Sequence, residues 1–353
     1  MPTADCTMRS KRRLPGITTC GQLIFALLLL WAFAVPCPGA EKVIFDTDMD
    51  SDCDDLGAIA VLHALANRGE CEIVATIAST RNEWTPACID AINTFYGRPD
   101  LPIGCPKQSK AMKSSKYARP IADKFPHDIG KSNTVPDAMQ VYRQVLAAQP
   151  DGSVVIATVG YLTNIADLLK LPAAAGQPSG RELIERKVKR WACMGGNFIG
   201  RPAVDDLKLS NNNFTFDKEA ALYAVQNWPG ELVFVGREIG SVPSGLKAGA
   251  GLKRLPEENP IRYGYAVWFG GEPKDRHVAD QTTVLYAVRG LRDYWNIESS
   301  GRMDLQPDMK FRWVSDSQAK QAYLLKRQVD GQPNDRTIEQ VIEGLMLEPP
   351  AGK

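Results

Sequence analysis

Short apolar runs alternating with helix-patterned segments constrain this chain more than any other feature. Lys42–Phe45, Glu72–Ala78, Leu101–Gly104, Ser153–Thr158, Lys187–Met194 and Leu232–Val235 read as strands. Leu56–Asn67, Pro86–Tyr96, Asp137–Ala148, Asn164–Lys170 and Lys218–Asn227 carry helical spacing, and Gly69 marks a stop. A strand apolar along its whole length must be covered on both faces. The alternation therefore predicts an α/β fold, a single large domain with a mostly parallel twisted sheet flanked by helices. Sites in such sheets lie beyond the carboxyl ends of the strands. The more polar stretch 307–353 reads as a C-terminal extension packed on the domain 41–306, and 353 residues suffice for one large core.

The first 40 residues follow a different logic. Arg9, Lys11, Arg12 and Arg13 face one acid, Asp5, before the apolar run Leu23–Val35 and the small, turn-prone segment Pro36–Ala40. This is the layout of a signal peptide over 1–40, and the run is short for a membrane span. The expectation is a secreted or periplasmic protein starting near Glu41, with no stable membrane insertion after cleavage. Removing four basic residues and one acid from 42 and 41 leaves 38 and 40, so the mature chain carries about −2. That balance gives no reason to expect nucleic acid as a partner. Five cysteines follow Ala40 with neither CxxC nor zinc-like spacing. They read as mostly buried thiols, with one disulfide open to an exported protein.

Chemistry concentrates where the first strand gives way to the first helix. Asp46, Asp48, Asp50, Asp52, Asp54 and Asp55 put six carboxylates into ten residues. Two unit charges 4 Å apart repel by about 1 kcal/mol in water and about 4 kcal/mol at an effective dielectric near 20. Converging carboxylates need a cation or altered proton affinities. Ligands that are all oxygen favour a hard ion such as calcium or magnesium. A calcium loop between two helices is excluded by spacing, because neither Asp46 nor Asp48 as the first ligand puts glycine and glutamate where that loop needs them. An aspartate-dependent phosphatase remains an alternative, although Asp50 stands where threonine or valine is usual.

Asp46-Thr47-Asp48 followed by Asp54-Asp55 resembles the D-x-D-x-x-x-D-D motif of the inosine/uridine-preferring nucleoside hydrolase family, with two extra residues between the pairs. The alternative register Asp48-Met49-Asp50 keeps the family spacing, but the apolar strand runs straight into Asp46. Further segments resemble the family in order: Thr80-Arg81-Asn82, Val159-Gly160-Tyr161-Leu162-Thr163-Asn164, Met194-Gly195-Gly196, the run Asn211–Ala221, and Asp280. The resemblance implies a calcium ion bound by Asp48, Asp55, Asp280 and the Val159 carbonyl, with Asp48 as general base on a metal-held water. It also implies that Asp54 binds a ribose hydroxyl and that Asn82, Asn197, Asn211 and Asn213 orient sugar and water. Asp46 would then support a ligand from behind.

The activity implied is hydrolysis of the N-glycosidic bond of a ribonucleoside or related N-ribosyl compound, passing through an oxocarbenium-like state. The partner is thus a small nucleoside or ribosyl substrate, and a homo-oligomer is left open. Three departures bear on this. Asn211 replaces the family's glutamate, Ala279 replaces its histidine before the late aspartate, and Tyr161 replaces the proline of the G-P-L turn. The first two motivate a second class of function, a metal- and sugar-binding homologue without turnover. His277 is a candidate for the missing acid only if its loop bends toward the site. His127, Trp84 and Trp268 are weaker candidates, and His63 reads as a packed helix residue.

Overall fold

The computed structural model describes residues 39–352 apart from 51, 109–111, 175, 199–207, 210 and 211. The expected signal peptide lies almost wholly outside these residues, as does Asn211. Strands are β1 (Glu41–Thr47), β2 (Cys71–Ala78), β3 (Ile103–Gly104), β4 (Val154–Thr158), β5 (Val188–Met194), β6 (Lys208–Leu209), β7 (Leu232–Val235), β8 (Lys247–Ala248), β9 (Arg276–His277), β10 (Trp295–Leu305), β11 (Lys310–Ser315) and β12 (Gln321–Lys326). Helices are α1 (Asp54–Asn67), α2 (Thr85–Phe95), α3 (Ala118–Lys124), α4 (Ala138–Ala148), α5 (Thr163–Lys170), α6 (Gly180–Lys187), α7 (Asn212–Thr215), α8 (Lys218–Asn227), α9 (Arg237–Gly240), α10 (Pro260–Phe269), α11 (Ala279–Arg289) and α12 (Asp335–Met346).

Ten strands form one sheet in the order β3-β2-β1-β4-β5-β7-β12-β10-β11-β6. From β3 to β12 all neighbours are parallel, and from β12 to β6 they are antiparallel. The chain winds outward from β1 through β2 and β3, then returns to β4 on the other side of β1. The direction of winding thus reverses between β1 and β4, which opens a crevice at their carboxyl ends. The stretch 307–353 is more integral than an appended extension. It supplies β11 and β12, and β12 sits inside the sheet, parallel to β7.

Side chains on the central strands alternate between two cores. Val43 and Phe45 of β1 enter a core with α1, α2, α10, α11 and α12; Ile44 enters the other with α4, α5, α6 and α8. Helix α1 is apolar nearly all round and buried from Asp54 to Leu65, because β2, α10, α11 and α12 all pack against it. Its one imidazole, His63, is fully buried. Nε2 lies 3.0 Å from Asn93 Oδ1, the ring stacks on Tyr96 at 4.5 Å, and Arg98 Nη1 lies 3.2 Å from Nδ1. Burial, reinforced by the Arg98 charge, pushes its pKa down to about 3.

Below the ordinary imidazole pKa of 6.5 the unfolded chain binds a proton that folded His63 refuses. Stability contributed by this group is therefore complete above pH 6.5 and is lost as pH falls toward 3, by about 1.4 kcal/mol per pH unit. Urea unfolding between about pH 7 and pH 5 should show a steeper loss in wild type than in His63→Gln. Parallel losses would rule this group out as a source of acid sensitivity.

Candidate active site

Between β1 and α1 the chain must turn sharply, and its own polar groups hold the turn. Met49 takes φ 44°, a left-handed conformation that costs a side-chain-bearing residue about 1–2 kcal/mol. Its N–H lies 3.3 Å from both Thr47 Oγ1 and Asp55 Oδ1, and the Thr47 hydroxyl donates to the same Asp55 oxygen. Asp54 and Asp55 occupy the first turn of α1, where the helix dipole favours negative charge. The loop after β4 presses against this turn. A Cβ on Gly160 would lie 2.6 Å from Asp48 N, so only glycine allows the approach.

The crevice between these loops gathers buried acids from distant parts of the chain. Asp48, Asp54, Asp55 and Asp280 are each at most 9% exposed. Carboxylate oxygens of Asp54, Asp55 and Asp280 lie within 4.8 Å of one another. Burial first, and then the neighbouring carboxylates, pushes Asp48, Asp55 and Asp280 well above the usual carboxylate range. Asp54 is raised by burial and Asp52, against the pull of His277. Val159 supplies a carbonyl to the same cavity, fixed on one side by Asn213 Nδ2 at 2.7 Å. Hard oxygen donors that are buried together and repel one another fit a hard divalent cation. Asp52, Asp54 and His277 form a second close trio. There Arg276 Nε at 2.9 Å and His277 Nε2 at 3.3 Å already neutralise Asp52, holding it below the carboxylate range despite burial.

A cavity of about 380 Å³ opens onto these groups. Of the residues singled out in the sequence, Asp48, Asp54, Asp55, Val159, Asn213 and Asp280 line it. Asn82 and Asn197 do not. Asn82 turns inward, accepting from Trp84 N at 3.1 Å and donating to Lys113 O at 3.0 Å. Asp46 stands behind the site, accepting from the Tyr142 hydroxyl at 2.7 Å and Asn164 Nδ2 at 2.9 Å. Burial pushes it up to about 7, partly offset by those two donors. His277 lines the cavity from β9, its Nε2 3.3 Å from Asp54, and burial is outweighed by Asp52 and Asp54, so that its pKa rises to about 9. Trp84, Trp268 and His127 are not part of the lining, and the His127 ring bonds the Ile129 carbonyl at 2.8 Å.

Lys113, Tyr161, Phe216, Arg237 and Arg276 line the cavity without having been proposed for it. Tyr161 was within reach, because it replaces the proline of a turn already singled out. Its hydroxyl donates to Asp50 Oδ2 at 2.8 Å, and Lys113 N donates to that oxygen at 2.9 Å. The tyrosine and one inserted aspartate thus account for each other.

The model of the inosine-uridine preferring nucleoside hydrolase family matches residues 43–290. The chain belongs to this family. It is accordingly a hydrolase of N-glycosyl compounds. Similar solved structures include a plant nucleoside hydrolase (17% identity, 88% of this chain and 99% of that one, TM-score 0.61). The inosine-uridine preferring nucleoside hydrolase of Bacillus anthracis is similar at 16% identity, with 87% and 99% covered and a TM-score of 0.61. The type III effector protein XopQ, complexed with adenosine diphosphate ribose, is similar at 15%, with 87% and 93% covered and a TM-score of 0.60. At these identities the likeness is one of fold. A comparison with curated proteins finds no match.

Tyr161→Phe removes one of two donors to a buried carboxylate and should cost about 1–3 kcal/mol in urea unfolding. In an Asp50→Asn background the same substitution should cost less. Equal costs in both backgrounds would show that the hydroxyl does not act through Asp50.

Proposed function

We propose that this nucleoside hydrolase family member uses calcium to hydrolyse the N-glycosidic bond of a ribosyl substrate, with Asp48 as general base. The observation that carries this reading is the convergence of Asp54, Asp55 and Asp280, with Asp48 lining the same cavity at the β1/β4 reversal. Asp48, Asp55, Asp280 and the Val159 carbonyl would hold the ion. When bound, it supplies positive charge that neutralises the carboxylates and polarises water and sugar hydroxyls.

The remaining work falls to side chains. Asp48, whose proton affinity is raised by burial and by Asp55, Asp50 and Asp54, accepts the proton of the attacking water. Asp54 accepts a hydrogen bond from a ribose hydroxyl, and Asn213 braces the Val159 carbonyl while facing the sugar. Asn82 acts at one remove, through its bond to the Lys113 carbonyl. The cavity excludes bulk water from an oxocarbenium-like sugar. We further propose export with cleavage near Ala40, where the compact unit begins.

Base release from a panel of nucleosides, with and without chelator, tests the proposal. Asp48→Asn should lower kcat by about 10²–10⁴-fold while the protein stays folded. Chelator should abolish release and lower Tm. Calcium at a hundredfold excess over its Kd should restore both, adding about 2.7 kcal/mol of stability. Release that survives chelator and Asp48→Asn would sink the mechanism. Ribose binding without turnover would favour a binding homologue, and phosphate release from phosphate esters alone would favour a phosphatase.

A further inference from the structure

The cavity carries more positive charge than a neutral nucleoside requires. Arg276 is committed to Asp52, and His277 lies between Asp52 and Asp54. Lys113 and Arg237 make no ion pair with a described carboxylate, although the Lys113 charge is felt by Asp48 and Asp50. The Lys113 ammonium lies 3.7 Å over the Phe216 ring at the cavity wall, and its backbone, not its side chain, binds Asp50. Arg237, half-buried, makes no ion pair or side-chain hydrogen bond with any described residue. Its neighbour Glu238 feels the Arg237 charge but spends Oε2 on Phe198 N at 2.9 Å and forms no ion pair with it. A half-buried guanidinium facing a cavity with no carboxylate bonded to it is stabilised when an anion meets it. Guanidinium is the side chain best suited to phosphate, because its fork matches two oxygens at once.

Charge balance points the same way. With Asp52 paired to Arg276, four carboxylates remain, namely Asp48, Asp54, Asp55 and Asp280. A dication, with the His277 imidazolium beside Asp54, would leave them one charge in excess. Lys113 and Arg237, lining the same cavity, more than cancel that excess, so a phosphate meets net positive charge. Ser241 lines the same cavity.

We propose that the substrate is a ribonucleoside 5′-phosphate, with the phosphate held by Arg237 and Lys113. This rests on the N-ribosyl hydrolase reading and narrows its substrate. The 2′- and 3′-hydroxyls are needed at the acidic floor and the base is the leaving group, so C5′ is the position left to carry an anion. In the reaction the C1′–N bond breaks and a C1′–O bond forms to water. One water proton goes to Asp48 and the other stays on the new C1′ hydroxyl. The base leaves with the C1′–N electron pair and takes a proton from solvent, to which Asp48 then returns its own, and the sugar product is ribose 5-phosphate. Arg237 is a binding residue and takes no part in the bond changes.

The test compares matched nucleosides, 5′-monophosphates and 5′-diphosphates in the calcium-loaded protein. The expected result is a kcat/KM for 5′-phosphates about tenfold to a hundredfold above that for nucleosides, as for loss of a charged hydrogen bond. That ratio should collapse in Arg237→Ala and recover in part in Arg237→Lys. Titration calorimetry gives a readout independent of turnover: ribose 5-phosphate should bind more tightly than ribose, and added salt should narrow the gap. Nucleosides turned over as well as their 5′-phosphates, with a ratio unmoved by Arg237→Ala, would overturn this inference and leave the hydrolase reading intact. If no compound loses its base, the hydrolase reading falls. The calorimetric comparison then decides the phosphate site by itself, equal binding of ribose and ribose 5-phosphate overturning it.

Discussion

Mutual repulsion among buried carboxylates is the constraint on which the rest of this structure depends. Asp48, Asp54, Asp55 and Asp280 come from one loop and two helix starts, and burial raises the proton affinity of all of them. No fold would gather them for stability alone, since each desolvated charge works against folding. The scaffold must be strong enough to hold them. It is: β1 and β4 are central, paired on both sides, and α1 is packed by β2, α11 and α12. At the site, the strained backbone at Met49 and the repulsion among the acids are offset by the cores on either face.

The polar groups around the cluster divide into two kinds. Some remove excess charge: Arg276 and His277 take Asp52 out of the competition, and Tyr161 with Lys113 N ties down Asp50. Others fix the shape of the site from behind, as Tyr142 and Asn164 do through Asp46 and Asn213 does through the Val159 carbonyl. Two more aspartates in the β1–α1 turn thus do not enlarge the set of acids that converge. Each has its own partner, and the cavity is left with the carboxylates that converge.

What could be read in the sequence follows from how local each signal is. Strands such as Val154–Thr158 and the helix Asp54–Asn67 declare themselves because their pattern is complete within a few residues. Asp48, Asp54 and Asp55 were legible because they sit directly after such a strand. The strands β10, β11 and β12 were not, since Trp295–Leu305 mixes apolar residues with Glu298, Ser299, Ser300 and Arg302 and pairs only with segments that follow it. Arg237 and Lys113 were equally hidden. Neither stands in a motif, and 124 positions separate them; only the folding of β7 and of the segment before α3 around one cavity gives them a shared role.

Asn82 illustrates the limit from the other side. Its place after β2 made it a natural candidate for touching water or sugar, yet both ends of its amide are spent on the backbone, at Trp84 N and Lys113 O. Position in a motif locates a residue near the site but does not decide what its atoms bind. By holding the Lys113 backbone, Asn82 helps set where an ammonium meets the cavity. A residue expected to orient substrate directly thus bears on the charge of the wall opposite the acids. Balance between the acids and the basic residues lining the same cavity, more than any one side chain, sets the charge that a bound molecule would meet.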